Sequence, residues 1–299
     1  MSRTTLDKLP SHQRVGLVAG WGRYPQVVAE ALQRQNCRVY CLGVKGHADP
    51  ALAKLCDDFH WIGLAKLGGA IRYFQKHGVT AVTMAGKIHK VVLFRRFAWM
   101  HHLPDLTCIR TFYPHFVSAR ADRKDDTLLG AVAEAFARGG VTLGPATDYA
   151  PELLVKHGQL SRRPLSTLQQ KDIEFGWQMA KEMGRLDIGQ SIVVKDRAVL
   201  AVEAIEGTDE CIRRAGTLCT AGGFTVVKVA KPQQDMRFDV PTIGLRTLQT
   251  LHQAGGRVLA IEAGKTIIID EPEVLEYANR HKLVVVSLDD QSQLQAPAA

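Results

Sequence analysis

Hydrophobic residues in this chain come in short runs, each closed by glycine, proline or a charged residue. The first run, Arg-Val-Gly-Leu-Val-Ala at 14–19, leads through Gly20-Trp-Gly-Arg-Tyr-Pro25 into a helical pattern at 26–35 and a second apolar run at 37–42. Strand, glycine loop, helix and strand in that order predict a doubly wound unit with a parallel sheet. A helix at 67–77 and a strand at 81–84 extend it, and Ala85-Gly-Lys-Ile-His-Lys90 follows. Open α/β sheets bind ligands at such strand ends, so Lys87 is a candidate anion contact.

Residues 91–116 interleave Phe94, Phe97, Trp99, Phe112, Tyr113 and Phe116 with Arg95, Arg96, His101, His102, Arg110 and His115. That mixture fits an amphipathic helical layer over the core, or a surface that meets acyl chains or a membrane. Arg120-Ala-Asp-Arg-Lys-Asp-Asp-Thr127 then opens a helix at 128–137 that Asp125 or Asp126 would cap, and a short strand follows at 141–143. A stretch rich in proline and charge, ending in Ser161-Arg-Arg-Pro164, separates two domains, residues 1–160 and 161–299.

The second domain opens on a helix at 168–183, capped by Ser166 or Thr167 and stopped at Gly184. Two strands, 188–194 and 198–203, surround the turn Lys195-Asp-Arg197, and Ala204-Ile-Glu-Gly-Thr-Asp209 starts a helix with Thr208 or Asp209 as the expected cap. Gly207 gives that backbone room, so the turn suits a phosphate as well as a plain helix start. Strands at 225–230, 258–262 and 266–270, with helices between and after them, complete an α/β domain.

Lys231 to Gly244 packs Asp235, Asp239, Lys231 and Arg237 between turn-forming residues. As a regular strand it would hold the two aspartates about 13 Å apart, too far to share one ion. Either the segment bends, or one acid acts with partners from elsewhere; the plain alternative is a solvated turn.

Composition narrows the classes. An apolar share of 46% is that of a globular protein, with no apolar run long enough to span a bilayer and no signal-peptide core at the N-terminus, so the expected location is cytoplasmic. Six cysteines without CxxC spacing argue against zinc or disulfides and read as small buried hydrophobes. A net charge of +8 favours acidic partners, and no RNA-binding pattern is present, so nucleic acid is not expected. Acids at the second domain's strand ends (Glu203, Glu206, Asp209, Asp235, Asp239, Glu262), with lysine and arginine nearby, suit a hard ion such as Mg²⁺ and phosphoryl chemistry.

The motifs Gly16-Leu-Val-Ala-Gly20 with Arg23 and Pro25, Met84-Ala-Gly-Lys87, Asp125-Asp126 with Leu128-Leu129, Asp187-Ile-Gly-Gln190, Val202 to Asp209 and Lys231 to Gly244 together resemble the LpxI family, in order from about residue 14 to 286. These are UDP-2,3-diacylglucosamine pyrophosphatases of lipid A biosynthesis. The resemblance implies a Rossmann-like N-terminal domain that binds a nucleotide-sugar lipid and a C-terminal α/β catalytic domain. It further implies Mg²⁺-dependent attack of water on the α-phosphorus, releasing UMP and 2,3-diacylglucosamine 1-phosphate at an anionic inner-membrane surface. It puts the essential aspartate on Asp239, with Asp235 as a second metal position and Glu206 and Asp209 as further acids. Gly207, Thr208, Lys231, Arg237 and Thr242 become substrate contacts, as do Gly20, Gly22, Arg23, Lys87, Asp125 and Asp126. A homodimer is left open. Arginine and lysine before Asp125-Asp126, where a glycine is usual, and the aromatic-histidine stretch depart from the pattern. An NAD-linked oxidoreductase needs an acid after the second strand, where Cys41-Leu-Gly-Val-Lys45 has none. A nonenzymatic lipid- or nucleotide-binding module needs no acid cluster.

Overall fold

A computed structural model describes residues 13–88, 103–117 and 125–290, apart from the side chains of 114–117 and 125–127. The described residues form two compact units. One runs to Pro151 and takes in Met236–Phe238; the other comprises Glu152–Asp235 and the chain from Asp239 onward. The chain thus changes unit ahead of the boundary drawn from composition. Leu154 bridges to Ile267, Val155 is buried in the second unit's core, and Gly158–Gln159 is a strand of its sheet.

The first unit holds β1 (Arg14–Ala19), α1 (Tyr24–Arg34), β2 (Arg38–Val44), β3 (Asp58–Ile62), α2 (Leu67–Lys76), β4 (Ala81–Ala85), α3 (Leu106–Val117), α4 (Asp125–Arg138), β5 (Thr142–Gly144) and a single turn, α5 (Ala146–Tyr149). Its sheet has the order β3-β2-β1-β4-β5 and every pairing is parallel, as the alternation of strand and helix predicts. The order reverses direction between β1 and β4. Gly16 is needed on β1 because a Cβ there would lie 2.5 Å from Val82 and 2.6 Å from Phe74. Phe74 anchors a cluster with Leu67, Ile71, Val82, Cys108, Phe136 and Leu143 that joins α2, α3 and α4 to the sheet, and Phe238 packs against it. Two expectations change here. α4 already includes Asp125 and Asp126, so neither is its cap, and β3 is a strand that the apolar pattern did not announce.

The second unit holds β6 (Gly158–Gln159), α6 (Thr167–Arg185), β7 (Ser191–Lys195), β8 (Ala198–Val202), α7 (Thr208–Leu218), β9 (Thr225–Lys228), β10 (Thr242–Ile243), α8 (Leu245–Gln253), β11 (Val258–Glu262), β12 (Ile267–Ile268), α9 (Glu271–Arg280) and β13 (Val284–Leu288). Six strands order as β6-β13-β11-β9-β7-β8. β9, β11 and β13 are parallel, whereas β7 runs against β9 and β8 against β7. Side chains alternate across this sheet into two cores. Val193, Val226, Leu259 and Val285 pack with residues of α7, α8 and α9, while Ile192, Val227, Ala260 and Val284 pack with Ile173, Trp177 and Ala180 of α6. Each fully buried large aliphatic contributes about 1.5–3 kcal/mol.

Ser166 caps α6 in a capping box with Gln169, as its position predicts. Gly184 does not stop the helix, which continues to Arg185. Its missing side chain instead admits Pro232 and Lys231, whose atoms would lie 3.1 and 3.2 Å from a Cβ. The expected five-residue strand at 266–270 is two residues long, since β12 has only β10 as a strand neighbour. Four cysteines are buried, but Cys56 and Cys219 are half-buried.

Candidate functional site

In the first unit, the loops after β1 and β4 close on each other at the point where strand order reverses. Gly20 N–H donates to the Ala85 carbonyl at 2.8 Å, and Trp21 and Lys87 exchange backbone hydrogen bonds at 2.8 and 2.9 Å. A Cβ on Gly20 would sit 2.8 Å from the Lys87 carbonyl oxygen, so the two backbones meet here because glycine lets them. The first two amides after β1 are therefore bonded to protein. Gly22 has φ +105° with open space about it. Arg23 pairs with Glu30 at 2.8 Å and Gln26 at 3.2 Å, and the Lys87 side chain is exposed. With those amides occupied and no acid at the end of β2, this unit does not carry the features of an NAD-linked oxidoreductase. Phe94 to His102 lie outside the described residues, as do the side chains of Asp125 and Asp126.

In the second unit, the reversal of β7 matters. The carboxyl ends of β9 and β11 meet the start of β7 and the end of β8 at one sheet edge, with Lys228 opposite both Ser191 and Ile261. Lys228 is only 5% exposed, and its ammonium donates to Thr208 Oγ1 at 2.8 Å. Thr208 donates to Glu203 Oε1 at 3.0 Å, and Ser191 Oγ lies 3.3 Å from the same threonine. Among the described residues the buried oxygens Glu203 Oε2 and Gln190 Oε1 have no hydrogen-bond partner. Gly207, at φ +84°, is the N-cap of α7, so Thr208 and Asp209 lie in its first turn and neither caps it.

The turn separates the acids that sequence grouped. Glu206 pairs with Arg214 and accepts from Ala204 N–H; its own backbone amide and then the Arg214 guanidinium hold its carboxyl below the usual range. Asp209 pairs with Arg246 at 2.8 Å and meets Thr247 at 3.3 Å. Among the described residues no hydrogen bond or ion pair joins either acid to Asp239. Glu262, 2% exposed, accepts from Lys181 at 2.6 Å, Lys265 at 2.8 Å and Ala230 N–H at 2.8 Å. It is a buried anchor for the chain just before Lys231.

Lys231–Gly244 bends. Gln234 N–H donates to the Lys231 carbonyl at 3.0 Å and Asp239 N–H to the Asp235 carbonyl at 3.2 Å, so the two aspartates sit on one turn and not along an extended strand. Lys231 pairs with Asp187 at 2.7 Å, where Asp187 adopts φ +57°. Arg237 stacks over Phe238 at 5.1 Å. Thr242 donates to the Val240 carbonyl at 2.8 Å and begins β10, whose pairing with β12 fixes the far end of the segment. Asp239 is exposed, and its Oδ2 accepts from Gln234 Nε2 at 2.7 Å. Sequence reasoning passed over Gln234, whose signal was a glutamine three residues after a turn-opening lysine.

Residues 14–153 match the profile of the LpxI N-terminal domain and residues 156–286 that of the LpxI C-terminal domain. A Caulobacter vibrioides protein named UDP-2,3-diacylglucosamine pyrophosphatase LpxI is 30% identical over 286 residues, covering 93% of this chain and 99% of the relative. The chain belongs to the LpxI family. The LpxI match therefore reaches all three sheets and takes in the whole of the bent segment. Among the described residues of this LpxI member, no helix is long and apolar enough to cross a membrane.

Proposed function

We propose that this protein hydrolyses UDP-2,3-diacylglucosamine to UMP and 2,3-diacylglucosamine 1-phosphate; the support from its Caulobacter relative is that protein's name, a UDP-2,3-diacylglucosamine pyrophosphatase. The observation that carries the reading on this chain's own residues is Asp239. Its carboxylate is exposed, tethered through one oxygen, and set on the turn that begins with Asp235. In the reaction a water oxygen bonds to phosphorus, the phosphoanhydride P–O bond breaks, and the bridging oxygen leaves with the departing phosphate. Asp239 orients the water through its second carboxylate oxygen, while Lys231 and Arg237 face phosphate charge as it shifts.

The residues suit Mg²⁺. No group of three or more His, Cys, Asp or Glu that could hold an ion occurs among the described residues. Mg²⁺, however, takes one or two carboxylates and completes its shell with water and substrate phosphate. Asp239 and Asp235, carried on one turn, would hold it. When bound, it supplies charge neutralisation and Lewis acidity at the diphosphate. Gly207 and Thr208 at the start of α7, and Thr242, are the remaining proposed contacts on the second unit; Gly20, Gly22, Arg23, Lys87, Asp125 and Asp126 are those on the first. The lipid-linked substrate makes an anionic membrane surface the expected working environment.

UMP release from UDP-2,3-diacylglucosamine, with and without Mg²⁺, by the native protein and Asp239→Ala tests this. The expected result is Mg²⁺-dependent release that falls at least about 10²-fold in the variant. Equal release from both would show that Asp239 is not the central acid, and no release from the native protein would refute the reaction. In ¹⁸O water, the label enters UMP if the α-phosphorus is attacked, as the family resemblance implies, and the sugar 1-phosphate if the β-phosphorus is.

A further inference from the structure

Gln234 touches Asp239 and the backbone at once, and its orientation is unambiguous. Its Oε1 lies 2.9 Å from the N–H of Lys231, a group that can only donate, so Oε1 is the acceptor. The other end must then be the NH₂ group, and it donates to Asp239 Oδ2 at 2.7 Å. Among the described residues the second oxygen of Asp239 has no hydrogen-bond partner, while Asp239's own N–H is fixed on the Asp235 carbonyl. The carboxylate is thus pinned by one oxygen and open at the other.

We propose that Gln234 is a positioning residue for Asp239: a side-chain amide clamped to the Lys231 backbone fixes the carboxylate's rotation and aims its open oxygen. The inference rests on the reading of Asp239 given above. Lys231 itself is anchored twice, by Asp187 through its ammonium and by Glu262 through the neighbouring Ala230 amide, so the clamp stands on a fixed base. A carboxylate with one oxygen held by a neutral donor keeps its charge and loses rotational freedom, which is what orienting a water or an ion requires. No step of the reaction passes through Gln234.

The same glutamine also closes the 231–234 turn, so its test must separate the two roles. Gln234→Glu keeps an oxygen for Lys231 N–H and removes the donor to Asp239 at neutral pH. Gln234→Met removes both. Positioning predicts that kcat falls about 10–100-fold in both variants while KM for the UDP-sugar lipid stays within about threefold. The thermal midpoint of Gln234→Glu should remain near that of the native protein. Native kcat in Gln234→Glu would overturn the inference, because the acceptor alone would then suffice; so would a loss expressed wholly in KM. A crystal structure of Gln234→Met supplies a readout independent of turnover. Its expected result is an Asp239 carboxylate rotated or split between rotamers, and an unchanged rotamer overturns the inference. If the native protein releases no UMP, the functional reading fails by itself, and that rotamer still decides the role of Gln234.

Discussion

Replacing Glu262 with alanine should cost the second unit about 3 kcal/mol. Two contributions add. The first is the Ala230 N–H, in a residue 2% exposed, which loses its acceptor; an orphaned buried amide costs about 1–3 kcal/mol. The second is the ammonium of Lys181, whose side chain is 20% exposed and which keeps Asp290, at 3.6 Å, and the Trp177 ring, at 5.6 Å. Breaking a fully buried ion pair costs about 3–5 kcal/mol, but Lys181 is partly solvated and Lys265, 48% exposed, is free to turn outward. That reduces the second contribution to about 1 kcal/mol. For a unit of this size about 3 kcal/mol lowers the thermal midpoint by roughly 10 °C. Glu262→Gln keeps the shape and one acceptor but leaves either the amide or the lysines unserved, and should lose about half as much. Urea unfolding of the three proteins, followed by far-UV circular dichroism, measures the order directly. A loss below about 1 kcal/mol in Glu262→Ala, or a larger loss in the glutamine variant than in alanine, would refute the reasoning.

Gly189→Ala should destabilise more sharply than its small size suggests. The added Cβ would collide with the Glu203 carbonyl oxygen, a backbone atom of a residue just past β8 whose own N–H is tied to Ser191; a loss of about 3 kcal/mol is expected, and an unchanged midpoint would contradict the close approach. Asp105 predicts a pH effect. Burial would raise its carboxyl, but the N–H groups of Cys108, Gly69 and Gly68, with Arg72, outweigh this and hold it below the usual range. A depressed folded value means stability that is complete above the ordinary carboxylate range and is lost as pH falls through the folded value. Denaturation midpoints taken downward from about pH 6 should therefore fall less steeply for Asp105→Asn than for the native protein, and parallel curves would remove the assignment.

The periodic elements were legible because their signals are local. Apolar run, glycine and helix gave β1, α1 and β2, and Ser166, one of two candidate caps, gave the start of α6. β3 was missed because Asp-Phe-His-Trp-Ile has a strand neighbour on one side only and leaves His60 and Trp61 exposed, so it shows no apolar alternation. Gly184 reads as a helix stop until Lys231 and Pro232, far along the chain, are found against it. The acids after strands were easy to collect and hard to sort. Glu262 is neutralised by Lys181 from a helix 81 residues away and Asp209 is claimed by Arg246 of α8, whereas Asp239 is exposed with one oxygen tethered to Gln234. Ser191 drew no functional reading for a topological reason. It begins a strand, and the reversal of β7 carries it to the edge where β9 and β11 end.

The paired loops of Trp21 and Lys87 bear on inhibitor design. In a dinucleotide enzyme, the turn after the first strand offers its amides to a pyrophosphate, and many nucleotide mimics are shaped for that cradle. Here Gly20 and Trp21 have already given theirs to Ala85 and Lys87. A compound carrying a pyrophosphate isostere aimed at these two amides would have to break two protein hydrogen bonds to reach them. Chemistry directed at the first sheet should therefore seek the exposed Lys87 side chain and leave these two amides alone.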